Sequence, residues 1–463
     1  MRHIALCFVL LLSFTVWAQD PSTPTSPTKL YIWTDNQYTA YDIPSDPFQM
    51  EVDSDGILTL GDNTIDTHHG QIITFDCPRV LAERRDLAYF ACIDSIRGQM
   101  LFMGGALKQT IVTLQNMDAR PRLTYELPDY NTDFTGTLDY IKVLNDGNYF
   151  LYEVRPDACD RVWKFWPETH QLIPVFTFRN KYQSLKYHWG LEYVEDTHTL
   201  YMAEYGNSMT NPDDPQHPGQ KLGSKAGATK IWRSTDNAET WQQFVDFRDD
   251  PTIFYEHFHI HAIHYDPYDH RLYVSSGDAV EGRRSNKRLW WTDDNGDSWH
   301  SHDWSFYWGT DNNAHSHGQI VSFYADRDFI VAGGDDYHNC IYRIDKSQAN
   351  TNLPLKPVYY YNPDAQGTVT HYTTRFKKLS NGLIITMLTQ GDSNGFPRRT
   401  RLVGTYNGYD WFILYQGSVE DGSLPLYQTG NFDEWNGHLY FGIGEIEDGK
   451  KVSKFIKMNI PRL

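Results

Sequence analysis

Thr292-Asp-Asp-Asn-Gly-Asp-Ser-Trp299 and Ser234-Thr-Asp-Asn-Ala-Glu-Thr-Trp241 share one pattern, Ser/Thr-x-Asp-x-Gly-x-Ser/Thr-Trp, with Ala238 at the glycine position of the earlier copy. A decayed third copy ends in Gly408-Tyr-Asp-Trp411. The tryptophans lie 58 and 112 residues apart, one period and then two. Asp and Gly in so short a segment, between runs rich in β-branched and aromatic residues, favour a tight hairpin turn. The tryptophan is placed to pack that turn onto its sheet. Self-similarity at such a period is the mark of a repeat architecture.

Outside these turns the pattern continues. Helical periodicity is nearly absent, and short runs rich in Val, Ile, Tyr, Phe and Trp alternate with Gly, Asp, Asn and Pro clusters, as in chains of many short strands. A strand beginning with a polar residue is followed about 16 to 21 residues later by an apolar strand ending in Gly or a charged residue. The starts are Thr137, His188, His261, His317, His371 and Tyr427, and the ends Arg155, Glu204-Tyr205, Gly277-Asp278, Gly334-Asp335, Gly391-Asp392 and Gly444-Glu445. An earlier unit runs from Tyr89 to Gly104-Gly105. Seven units predict an all-β, seven-bladed β-propeller, with six or eight blades as alternatives. Residues 29 to about 76 would supply a closing outer strand and a decayed hairpin, so that strands from both termini fasten the ring.

The Ser/Thr-x-Asp-x-Gly-x-Ser/Thr-Trp turn resembles the Asp-box of the sialidase-like propellers. That resemblance implies a fold, with the turn in a structural role. It does not carry sialidase activity, because the early Phe/Tyr-Arg-Ile-Pro of sialidases is absent and Tyr342-Arg-Ile-Asp345 is late and ends in Asp.

The amino terminus reads as an export signal over residues 1–18. Arg2 and His3 precede an apolar run from Ile4 to Val16, and Val16-Trp17-Ala18 has small-residue cleavage geometry. Residues 19–28, rich in Pro, Ser and Thr, form a tether, and residues 29–463 a single propeller domain. The expected location is secreted or periplasmic, with no membrane span. Removing the signal leaves 40 basic against 59 acidic residues, an unfavourable balance for binding nucleic acid. Four cysteines then remain, Cys77, Cys92, Cys159 and Cys340, and they allow three pairings that sequence does not separate.

In a propeller the innermost strand of every blade starts at the rim where the second strand ends. Four successive units begin with histidine: His188, His261, His317 and His371. The last three are 56 and 54 residues apart, and an insertion at residues 207–229 explains the longer first gap of 73. This phase predicts a histidine-lined channel mouth; in the plainer reading each imidazole hydrogen-bonds a neighbouring blade. His261, His315, His317 and Asn312 would suit a divalent metal such as Mn, Zn or Ca. In position the set resembles the manganese site of the oligogalacturonate lyases, which are seven-bladed propellers; Asn312 stands where that family has Gln.

The resemblance implies β-elimination at a uronic acid residue of a polysaccharide or oligosaccharide. Such cleavage needs the carboxylate neutralised and a base beside it. His188 or Tyr205 would be the base, His371 is a further catalytic candidate, Arg155, Arg283 and Arg284 would hold the carboxylate, and Trp189, Trp308 and Tyr372 would stack on sugar rings. A glycoside hydrolase using rim carboxylates such as Glu204 is the second reading. A propeller that binds carbohydrate or protein without catalysis is the third.

Overall fold

The structure is a computed structural model. It describes most of residues 80–460 and short backbone strands within 29–75; outside the description lie 1–28, 104–108, 180–182, 186–188, 207–227, 251–252, 254–257, 278, 281–283, 304–319, 335–339, 349–355, 361–370, 391–400, 417–430, 461–463 and short links between strands. Among the described residues almost everything is strand.

Antiparallel four-stranded sheets cover residues 89–126, 137–177, 191–246, 259–303 and 320–360, here called blades 1 to 5. Blade 6 spans 371–416. Blade 7 takes three strands from 432–459 and its outermost strand, Val80–Arg84, from the amino-terminal side. The first strand of each blade contacts the first strand of a neighbour, which places these strands around a central channel. They are Tyr89–Asp94, Thr137–Val143, Leu191–Val194, His259–Asp266, Ile320–Ala325, His371–Lys378 and Phe432–Trp435.

Seven apolar clusters hold the blades together, one at each junction. The cluster around Leu138, Leu151 and Leu101 joins blades 1 and 2, and equivalents follow round the ring. The seventh closes it: Phe90, Phe102 and Met100 of blade 1 pack on Tyr440 and Phe455 of blade 7. Phe90 and Phe455 have ring centroids 4.9 Å apart. A closed ring leaves no face-to-face junction exposed, which is how a sheet array of this size buries its apolar surface.

Closure by strands from both ends agrees with the sequence reading, but the closing strand is Val80–Arg84 and not a segment of 29–76. Three strands of this segment extend blade 6 instead: Ile73–Phe75 runs parallel to its outer strand, and the hairpin Lys29–Thr34/Gln37–Asp42 adds beyond that, while Met50–Val52, Ile57–Leu60 and Asn63–Asp66 form a sheet of their own.

The two tryptophan-ended turns join the third and fourth strands of blades 3 and 4, and their hydrogen bonds repeat atom for atom. Asp236 Oδ1 accepts from Ser234 Oγ at 2.8 Å and Thr240 N at 2.9 Å. Asp294 Oδ1 accepts from Thr292 Oγ1 at 2.8 Å and Ser298 N at 2.9 Å. Ala238 sits at φ 67°, where the second copy has Gly296 at φ 94°. In the third copy Asn407 does the work of the aspartate, accepting from Asp410 N at 2.9 Å.

Candidate functional site

The channel has two mouths. Inner strands begin at the upper one and end at the lower one. Sequence reasoning places the site at the upper mouth, so its described residues come first.

Glu204 is fully buried and its carboxylate is taken up by three donors. Trp232 Nε1 donates at 2.9 Å, Gln183 Nε2 at 3.0 Å and Arg179 Nη2 at 3.1 Å. Burial raises its pKa despite the nearby Arg179. The arrangement repeats in the neighbouring blades: Trp163 Nε1 donates to Glu153 Oε2 at 2.8 Å, and Trp290 Nε1 to Ser276 Oγ at 3.0 Å. Each indole also lies beneath a cation two residues earlier, Arg161, Lys230 or Arg288. The signal for this tie stands in the sequence as Arg161-Val-Trp163, Lys230-Ile-Trp232 and Arg288-Leu-Trp290, 69 and 58 residues apart. Glu204 therefore fastens the second strand to the third, which is not the setting of a hydrolytic carboxylate.

His261 is equally occupied. Its Nδ1 lies 2.9 Å from Ile320 O on blade 5, and a carbonyl only accepts, so Nδ1 carries the proton. Its Nε2 then accepts from His259 Nε2 at 2.6 Å. Two nitrogens so close leave no room for a metal between them, since ligands about 2.0–2.1 Å from zinc stand farther apart than that. The ring also packs against Gly277, where an added Cβ would meet His261 Cε1 at 2.2 Å. Among the described residues no group of three His, Cys, Asp or Glu is placed to hold a metal.

The histidine phase is corrected as well. His261 is the extra residue of a β-bulge in its strand, and the same bulge recurs at Ala91, Asp139 and Val321. Val321, and not His317, is thus the counterpart of His261. Blade 3 begins its inner strand at Leu191, after the histidine expected to open it, and His317 of blade 5 lies outside the described residues. His371 does open its strand.

Tyr205 packs edge-on against His259, centroids 4.9 Å apart. Arg155 is partly buried, donating its backbone N to Asp160 at 2.8 Å and its Nη1 to Cys159 O at 3.3 Å. His188, Arg283, Trp308, Asn312, His315 and His317 lie outside the described residues, and for Arg284, His371 and Tyr372 only the backbone is described. No disulfide joins Cys92, Cys159 and Cys340.

Trp189 leads to the other mouth. Its Nε1 donates to Thr373 O at 3.0 Å, reaching from blade 3 to the inner strand of blade 6. Its own carbonyl accepts from Ile263 N of blade 4 at 2.8 Å. The indole is therefore held across the channel and not presented at the upper rim.

Below it opens a cavity of about 430 Å³ lined by the ends of the inner strands. Lys142, Arg375, Lys377 and Lys378 line it against the carboxylates of Glu192 and Glu195. Lys377 pairs with Asp433, and Lys378 with Asp326 at 2.7 Å. Lys142 and Arg375 have no carboxylate within ion-pair distance among the described residues; Lys142 lies 5.8 Å from the Tyr193 ring centre and Arg375 5.4 Å from that of Phe432. Burial pushes the Asp433 carboxyl up, but Lys377, Lys142 and Arg375 together outweigh it and hold the group at about 2.

Glu192 Oε1 meets His264 Nδ1 at 3.1 Å and accepts from Tyr265 N at 3.0 Å. Glu192 fixes the imidazole so that, in the neutral ring, Nε2 bears the lone pair. That Nε2 is buried and has no hydrogen-bond partner among the described residues. The ring lies on Tyr324, centroids 4.8 Å apart. Burial holds the Tyr324 phenol well above its usual range, so it stays protonated. No shared motif marks Lys142, Glu192, His264 or Arg375 in the sequence.

No protein family matches the chain, and no curated protein does. Among solved structures, a prolyl endopeptidase, from a study of inter-domain dynamics in two such enzymes, matches at 10% identity and TM-score 0.44, covering 79% of this chain and 49% of its own. Prolyl oligopeptidase B from Galerina marginata matches at 8% identity and TM-score 0.43, covering 83% and 52%. The N-terminal domain of Nup159 matches at 8% and TM-score 0.42, covering 82% and 95%. The chain spans about half the length of the two prolyl peptidases. No helix among the described residues is long and apolar enough to cross a membrane.

Proposed function

We propose that the protein is an exported carbohydrate-active propeller that takes a uronic acid residue into the lower cavity and cleaves the chain there by β-elimination. One observation carries this reading: Lys142 and Arg375, neither within ion-pair distance of a carboxylate among the described residues, share a cavity with the Glu192–His264 pair. Elimination needs that combination. The cations stabilise the negative charge that builds on the sugar carboxylate when the neighbouring carbon loses its proton. His264 Nε2 takes the proton, and Glu192 stabilises the imidazolium that results. The electron pair left on carbon forms the new double bond as the glycosidic oxygen departs and takes up a proton.

A second reading, binding without turnover, is favoured by the shielding of His264 Nε2, since the ring must rotate toward the cavity before it reaches a ligand. One experiment separates the two. Oligouronides are incubated with the protein while the ultraviolet absorbance of the new conjugated double bond is followed. Rising absorbance that His264→Gln reduces at least a hundredfold supports the lyase. Binding with no absorbance change leaves the second reading, and neither binding nor turnover sinks both.

A further inference from the structure

Trp189 spans the channel above the cavity from blade 3 to blade 6. Its backbone is tied to blade 4 through Ile263 N, and the next residue, Gly190, accepts from Ala203 N of blade 3 at 2.8 Å. Its ring nitrogen is tied to blade 6. One ring bond to blade 6 and one backbone bond to blade 4 hold Trp189 across the axis, and it packs against the cluster that includes Ala262 and Ile320 of the two intervening inner strands. A ligand in the lower cavity thus meets this indole between itself and the upper mouth. The volume, about 430 Å³, lies toward the small end of ligand pockets, roughly 300–1,000 Å³.

From this indole across the axis we infer that the site is a chain-end site: it receives the terminal one or two residues of an anionic polymer, or a free small anion, and never an internal stretch. The inference rests on the proposed anionic-ligand reading of the cavity and adds its polarity of action. A polymer threading the channel would have to displace the Trp189–Thr373 bond and expose Thr373 O without a partner.

The test is stoichiometric, which frees it from turnover. Oligouronides of graded length, and separately inorganic phosphate, tripolyphosphate and long polyphosphate, are titrated into the full chain, with Arg375→Met as the control for binding elsewhere. A chain-end site loads no more than two proteins per polymer whatever its length, and its affinity stops rising after the dimer. Loading in proportion to length, or affinity that grows on through the hexamer, overturns the inference while leaving the anionic site standing. If only the phosphates bind, at their ends, the uronide reading falls and the chain-end inference stands. No binding in either series overturns both. In active preparations, reducing or capping the polymer ends abolishes product release if the inference holds and leaves it unchanged if it fails.

Discussion

The two mouths of this channel are built from the same strands yet do opposite things with their polar groups. At the upper mouth the described carboxylates and imidazoles are spent on one another and on the backbone: Glu204 on Trp232, Gln183 and Arg179, His261 on His259 and Ile320. At the lower mouth Lys142 and Arg375 line a cavity beyond ion-pair distance of any carboxylate among the described residues, and the buried His264 Nε2 has no hydrogen-bond partner there. Titratable residues at a rim therefore do not by themselves mark a site. A buried polar group with its bonds made stabilises the fold; one held without them beside a cavity is available to a ligand.

The comparison breaks most sharply at Glu204. Glu204→Ala leaves Arg179 and the Trp232 indole without their acceptor and should cost about 3 kcal/mol, read from denaturant unfolding, with ligand binding at the lower mouth unchanged. Arg375→Met should do the reverse: uronide affinity falls about a hundredfold by calorimetry while the unfolding midpoint barely moves. Arg155→Met, at the upper mouth, should leave that affinity as it was.

The mouths also differ in the sign of their pH response. Asp160, at the upper face, is pushed up to about 6, chiefly by burial. A raised carboxyl favours the fold most when protonated, so its contribution is full below its ordinary 3.8 and is lost as pH rises through 6. Asp433, at the lower face and held at about 2, contributes above 3.8 and loses that contribution as pH falls toward 2. Asp160→Asn should therefore raise stability at pH 7 relative to pH 4 by about 2 kcal/mol in thermal unfolding. Asp433→Asn should lower it, with the loss vanishing near pH 2. The smallest effect concerns the packing beneath His261. Gly277→Ala forces its methyl into the imidazole and should cost about 1 kcal/mol, measurable as a lowered melting temperature.

The ring was legible because its punctuation repeats. The Asp-centred turns mark third-to-fourth strand hairpins, and seven strand pairs can be counted along the chain. Its fastening was misplaced, since Val80-Leu-Ala-Glu-Arg84 is a short strand with no turn motif to announce it. The histidine phase failed for a register reason. A one-residue bulge and unequal loops make the true step from His261 run 60 residues to Val321, and the 56-residue spacing to His317 coincided with the average period only by chance. The lower cavity was not legible. Lys142, Glu192, His264 and Arg375 each sit on a different inner strand in a different local sequence, and only the closed ring brings them together.

The most direct measurement is a crystal structure of the protein with a digalacturonate. This account predicts its carboxylate between Lys142 and Arg375, with a sugar ring beside His264 and Trp189 still bonded to Thr373. Sugar density at the upper rim, near Arg155 and Tyr205, with the lower cavity empty, would contradict it.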